Sequence, residues 1–302
     1  MAILTFVINL AGATMMLLFG VHLVKTGVER AFGPKYRAVI AAQNNVVTTS
    51  VIGICMAAIL QSSAAVALMA SGISAGGTLA LAPALALIIG ADLGSALVVQ
   101  ILSFPIDRAL PLLLLAGGWL FLRTERKPFR ATGRAILGVA VILIALNFIS
   151  AAASPISHTP ILPVLAGYLE SDPLAAFIIG AALAFVMHSS VATILLCAAL
   201  VDQGAFGIGA GVAMVLGANA GSALIPVWLT RQMSVSARRA PIAVMCLRAP
   251  FALFVLGLLF WVVQPDTFGP SWATGGATIV LAHLSFNILF FVCALPFSHV
   301  LA

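Results

Sequence analysis

Nine long apolar stretches, at about residues 3–24, 48–74, 79–104, 109–122, 135–150, 174–201, 205–230, 242–263 and 275–297, are separated by short polar connections. In a hydrocarbon layer every backbone N–H and C=O must find its partner inside the protein, so such runs can only be helices. A soluble domain would be about a quarter charged. Here 7% of the 302 residues are charged, which leaves no room for a separate soluble domain and predicts an all-α membrane protein. The first run lacks a basic segment before it and reads as a first span, not a cleaved signal peptide.

The basic residues fall in three clusters: Lys25, Arg30, Lys35 and Arg37; Arg123, Arg126, Lys127, Arg130 and Arg134; and Arg231, Arg238 and Arg239. Scattered between apolar runs, they read as topology signals placed in the cytoplasm, not as a nucleic-acid surface, despite the net charge of +6. Residues 151–173 carry Glu170 and Asp172 but no Lys or Arg, and 264–274 carry only Asp266, so both are expected outside. Counting each run as one crossing puts the second basic cluster on the wrong side of the first. The contradiction disappears if 48–74 and 174–201 are re-entrant hairpins, each made of two half-helices. The expected arrangement is then a multi-pass inner-membrane protein with its N-terminus outside and its C-terminus cytoplasmic. Cys55, Cys197, Cys246 and Cys293 stand singly in apolar segments and read as core packing.

Sliding the chain by 127 residues places Gly53 on Gly180, Ser62-Ser63 on Ser189-Ser190, Gly77 on Gly204, and Gly90-Ala91 on Gly217-Ala218. Gly94-Ser95-Ala96-Leu97 falls on Gly221-Ser222-Ala223-Leu224. With the topology above, the two copies are inverted: residues 1–122 and 135–263, joined by a cytoplasmic basic loop at 123–134 and followed by an extra span within 264–302. Inverted repeats whose interrupted helices meet at the midplane are characteristic of secondary transporters. The expected interruptions are the hairpin tips Gln61-Ser62-Ser63 and His188-Ser189-Ser190, and discontinuous spans at Gly90–Ser95 and Gly217–Ser222.

Such breaks leave peptide groups unpaired, which is tolerable only where a ligand, water or protein satisfies them. Half-helices starting near Ser63 and Ser190 aim N–H groups at the centre and favour an anion. The opposing ends near Gln61 and His188 offer carbonyls, which favour a hard cation such as Na+. Asp92, deep in an apolar run, requires a cation partner. The pairs Gly90/Gly94 and Gly217/Gly221 are also small-residue packing motifs, but their recurrence beside matched hairpins favours unwound helix. His188 aligns with Gln61 and could titrate near neutral pH. Arg248 is expected to snorkel to the cytoplasm, and His283 with Asn287 to act as polar packing in the last span. No buried Lys or Arg is expected to supply positive charge to the site.

The doubled Gln61/His188 tips, each followed by a Gly-Ala-Asp/Asn-x-Gly-Ser segment at 90–95 and 217–222, resemble the sodium/phosphate cotransporter family, the bacterial relatives of type II sodium-phosphate cotransporters. The chain departs from the family pattern in having His188 for Gln, Ala64 and Val191 where a third serine is common, and Ser95 and Ser222 where Thr is frequent. The resemblance implies that Gln61, Ser62, Ser63, Ser189 and Ser190 line the phosphate and Na+ sites, with Asp92, Ser95, Asn219 and Ser222 close by. Na+ would sit near Gln61, Ser62, Asp92, His188, Ser189 and Asn219. Na+ is then the coupling ion, no cofactor is implied, and transport proceeds by alternating access. Proton coupling through His188 and phosphate export are the alternative transport readings. A membrane-embedded enzyme is the rival from another class: Asp92, His188 and a serine could imitate a hydrolytic triad, but there is no HExxH, no GxSxG and no acidic pair on one segment. The oligomeric state stays open, a homodimer being one option.

Overall fold

The computed structural model describes residues 2–32, 45–103, 109–153, 161–263, 273–298 and 300. Within them the chain is helical, with no strand. The elements are α1 (Ala2–Phe32), α2 (Val46–Leu60), α3 (Ser63–Ala75), α4 (Leu81–Leu102), α5 (Leu110–Arg123), α6 (Lys127–Ala153), α7 (Ile161–Ser171), α8 (Pro173–Val186), α9 (Ser190–Asp202), α10 (Ile208–Leu229), α11 (Val235–Leu258) and α12 (Gly275–Ala294). A π-helical turn, Leu259–Val263, prolongs α11. Six of these helices (α1, α4, α6, α10, α11 and α12) are long and apolar enough to cross a membrane, which makes this a multi-pass membrane protein. The run at 109–122 yields only the 14-residue α5, about 21 Å long and shorter than the ~30 Å apolar layer.

Charged residues are taken into helices more often than their polarity suggests. α1 continues through Lys25 and Arg30 to Phe32, while Lys35 and Arg37 lie outside the described residues. The stretch 123–134 is not a loop: only residues 124–126 separate α5 from α6, and Lys127, Arg130 and Arg134 are helical. Likewise Arg238 and Arg239 sit in the first turns of α11. The 151–173 connection holds a helix, α7, and its acidic residues cap neighbours. Asp172 accepts from Ala175 N at 3.0 Å to start α8, and Glu170 Oε1 accepts from Gly207 N at 2.9 Å beside the start of α10. Of the four cysteines only Cys197 is buried; the others are exposed.

The 127-residue repeat reappears in local geometry. α9 has the bounds of α3 shifted by that offset, and α10 those of α4. Gln61 and His188 adopt the left-handed conformation at φ 50° and 51°, and Gly77 and Gly204 at 73° and 68°. The same short sequences solve the same local problem twice.

The expected breaks in the central helices are also not found. α4 and α10 run unbroken through Gly90–Ser95 and Gly217–Ser222, so neither is a discontinuous helix. Their glycines act at helix–helix contacts instead. A Cβ on Gly90 or Gly94 would collide with the carbonyl oxygen of Ser50 or Ile54 in α2, and one on Gly217 or Gly221 with that of Phe177 or Ala181 in α8. Gly53 and Gly180 answer from the other side, against Leu87 and Met214. Backbones this close gain dispersion contacts that no larger side chain would permit, and flanking Ala, Leu and Ile keep the helical hydrogen bonds intact. α2 and α8 are thus seated on α4 and α10, and α1 lies along α6.

Candidate ligand-binding site

The α2–α3 and α8–α9 tips meet at one cavity of about 410 Å³. Its wall includes Gln61, Ser62, Ser63 and Ala64 from the first tip and His188, Ser189, Ser190 and Val191 from the second, with Ser95 and Ser222 from the two central helices. Residues more than a hundred positions apart in sequence are therefore brought together as two matched sets.

Each tip is built by the same capping device. Ser62, in extended conformation, caps α3: its Oγ accepts from Ala65 N at 3.2 Å, and its carbonyl from Val66 N at 3.4 Å. Ser189 does the same for Ala192 N at 3.1 Å and Thr193 N at 3.3 Å. The first two amides of each helix, at Ser63, Ala64, Ser190 and Val191, then have no acceptor inside the helix, and all four residues line the cavity. Because Ser62 and Ser189 Oγ accept from the backbone, their O–H protons remain free to donate outward. Helix-start amides and outward hydroxyls form an anion-binding surface.

The central serines present the opposite polarity. Ser95 Oγ donates to Asp92 O at 2.8 Å and Ser222 Oγ to Asn219 O at 3.0 Å. With their protons so engaged, these oxygens offer lone pairs to the cavity. Gln61 Oε1 is buried without a hydrogen-bond partner, a further acceptor of the kind a hard cation takes. His188, its counterpart, has Nδ1 3.2 Å from Val186 O and stacks on Phe185 with centroids 5.9 Å apart. The two halves therefore match in anion donors and differ in cation acceptors.

Asp92 and Asn219 do not line the cavity. Arg248, expected to reach the cytoplasm, is 2% exposed and occupies the space between them. It lies 13 residues into α11, about 20 Å along the axis, too deep to snorkel. Its Nη1 donates to Asp92 Oδ2 at 2.6 Å; Nη2 donates to Asn219 Oδ1 at 2.6 Å and Asn287 Oδ1 at 2.7 Å; Nε donates to Asn219 O at 2.9 Å. The guanidinium also lies over the Phe286 and Phe290 rings, at 5.5 and 5.1 Å. Asn287 Nδ2 donates to Asn219 Oδ1 at 3.1 Å, and Asn219 Nδ2 lies 3.1 Å from His283 Nδ1. His283 and Asn287 are thus members of a specific polar network, not interchangeable packing.

One arginine therefore bridges the two repeat-related positions, Asp on one side and Asn on the other. It cancels the Asp92 charge from within the protein, so the carboxylate needs no bound Na+ for its compensation. The network braces the cavity from behind: Asn219 O accepts from both Arg248 Nε and the cavity residue Ser222, and the Ser63 hydroxyl lies beside the Asp92 carboxylate. The imitation of a hydrolytic triad is not assembled, since Asp92 faces Arg248 and His188 faces Val186.

Sequence reasoning also missed His22 and Lys25, which line the cavity from α1. Met15, Leu18, Phe19, His22 and Lys25 share one helical face by their spacing, a signal hidden by ending the helix at residue 24. For Arg248 the available signal was a lone cation inside the apolar run 242–263, matching the lone anion at Asp92.

The chain is 31% identical over 291 residues to "Putative inorganic phosphate export protein YjbB" of Escherichia coli (strain K12), covering 96% of this chain and 53% of that protein. The protein of the same name from Salmonella typhimurium is 30% identical over 298 residues, covering 98% of this chain and 54% of the relative. The uncharacterized protein YqeW of Bacillus subtilis is 24% identical over 221 residues, 73% of this chain and 72% of its own length. The chain thus spans about half the length of these two relatives of the same name. No solved structure shows a significant match. The family model described as Na+/Pi-cotransporter matches residues 16–151 and 161–292, two segments that each contain one serine tip and its central helix, and on this match the chain belongs to the Na+/Pi-cotransporter family.

Proposed function

We propose that the chain carries inorganic phosphate across the membrane, held between the two tips, with Na+ as coupling ion and access alternating between the two faces. The observation that carries this reading is the single cavity framed by both tips, where helix-start amides and free serine protons face the same space as unpaired oxygen acceptors. An anion and a hard cation each find their complement there, and each reduces the electrostatic cost of holding the other in a low-dielectric site. Two re-entrant hairpins in oppositely oriented repeats would give the cavity equivalent routes to either side, as alternating access requires. Lys25 adds a positive charge at the rim, so Na+ need not offset the phosphate charge alone.

The direction of net movement follows the gradients, and the name of the relatives, "Putative inorganic phosphate export protein", favours the export reading. His188 on the cavity wall supports proton coupling as the second reading. The test is phosphate flux in proteoliposomes under an imposed Na+ gradient, with choline replacing Na+ in one arm and a pH gradient replacing it in another. Saturable flux that collapses in choline is expected. Flux that follows the pH gradient instead would transfer the coupling to His188, and flux no greater than in protein-free liposomes would overturn the assignment.

A further inference from the structure

A second cavity, of about 500 Å³, is formed by residues from the C-terminal end of α1, the end of α5 and the start of α6. It is lined by Arg30, Phe121, Lys127, Arg130, Ala131 and Arg134. Four of these six carry positive charge and none carries negative charge. Like charges gathered from α1 and α6 repel one another unless an anion lies among them. In sequence Glu29 adjoins Arg30 and Glu125 lies two residues before Lys127; among the described residues, Glu125 is exposed and not part of the wall. The Arg130 guanidinium lies over the Phe121 ring at 5.1 Å. Arg134 Nε is buried with no hydrogen-bond partner, a donor whose desolvation nothing on the protein offsets. Among the described residues the wall has forked guanidinium donors, a point-charge ammonium and no acidic side chain, which is the complement of a phosphate group.

The surroundings indicate where that phosphate comes from. The outward face of α5 exposes Leu112, Leu115, Trp119 and Leu122, at 67, 70, 62 and 79%, an apolar track that ends beside the cavity. An acyl chain laid along that track carries its headgroup to the arginines.

We propose that this cavity binds the phosphate group of an anionic phospholipid, clamping the end of α1 to α5 and α6. The site is separate from the transport cavity, although α1 contributes to both: His22 and Lys25 to one, Arg30 to the other. It does not depend on the proposed transport activity.

The test measures thermal unfolding of the full chain in detergent, with short-chain phosphatidylglycerol, phosphatidylcholine or inorganic phosphate added. Wild type is compared with R130Q/R134Q, and with R130K/R134K as a control that keeps the charge. Phosphatidylglycerol at about 100 times its Kd is expected to raise the wild-type Tm by roughly 5 °C. The shift should shrink at high salt, be absent in the glutamine variant, and return in part with lysine. A shift with inorganic phosphate alone, lost in R130Q/R134Q but kept when Ser62 is changed to Ala, would retain the anion site and assign it to the free ion. Equal shifts with phosphatidylcholine, or shifts indifferent to R130Q/R134Q, would overturn the proposal.

Discussion

Replacing Arg248 with methionine tests the central network directly. The substitution removes four hydrogen bonds and leaves the Asp92 carboxylate facing an apolar side chain. At the 2.6 Å separation of the pair, Coulomb attraction at an effective dielectric constant near 20 is on the order of 6 kcal/mol. Much of this offsets the cost of dehydrating both ions. The measurable loss on removing one partner is therefore about 3–5 kcal/mol, or a Tm lowered by roughly 5–8 °C. Asp92→Asn alone should cost less, because three neutral acceptors still serve Arg248 and the new amide oxygen can supply a fourth. Combining Arg248→Met with Asp92→Asn removes both buried charges and should recover at least ~1–2 kcal/mol relative to the single methionine variant. The assay is thermal unfolding of purified protein in one detergent, run as a double-mutant cycle. If Arg248→Met unfolds at the wild-type temperature, or the double variant is no better than the single, the pair does not hold the four helices together.

Further outcomes follow from the site. Lys25→Gln should raise the KM for phosphate by about tenfold, the equivalent of ~1.4 kcal/mol, with kcat less affected, read from initial flux rates at varied phosphate. Gln61→Gly relieves a left-handed non-glycine conformation, so stability should hold or rise by up to ~1 kcal/mol while coupled flux falls; unaltered flux would remove Gln61 from the site. Gly217→Ala drives a methyl group into the Phe177 carbonyl and should destabilise by ~1–3 kcal/mol, visible as a lower Tm. Ser62→Ala and Ser189→Ala should each lose about 1 kcal/mol of capping and weaken phosphate binding to similar extents, and a large difference between them would argue against a shared anion site.

By itself the sequence determined the features that depend on neighbours along the chain. Apolar runs in lipid must be helices, a Ser-Ser pair after a chain-reversing residue must end one helix and cap the next, and a gapless duplication must produce the same tips twice. What it could not determine were choices among partners far apart. Whether Gly90 and Gly217 unwind a helix or admit a neighbour depends on what packs against them, and α2 and α8 supply backbone carbonyls there. Whether Arg248 seeks water or Asp92 depends on a residue 156 positions away, because the helix start at Val235 places the guanidinium too deep for water and within reach of the carboxylate. Local hydrogen bonding is written in short words of sequence. Compensation of a buried charge is settled only when distant helices meet.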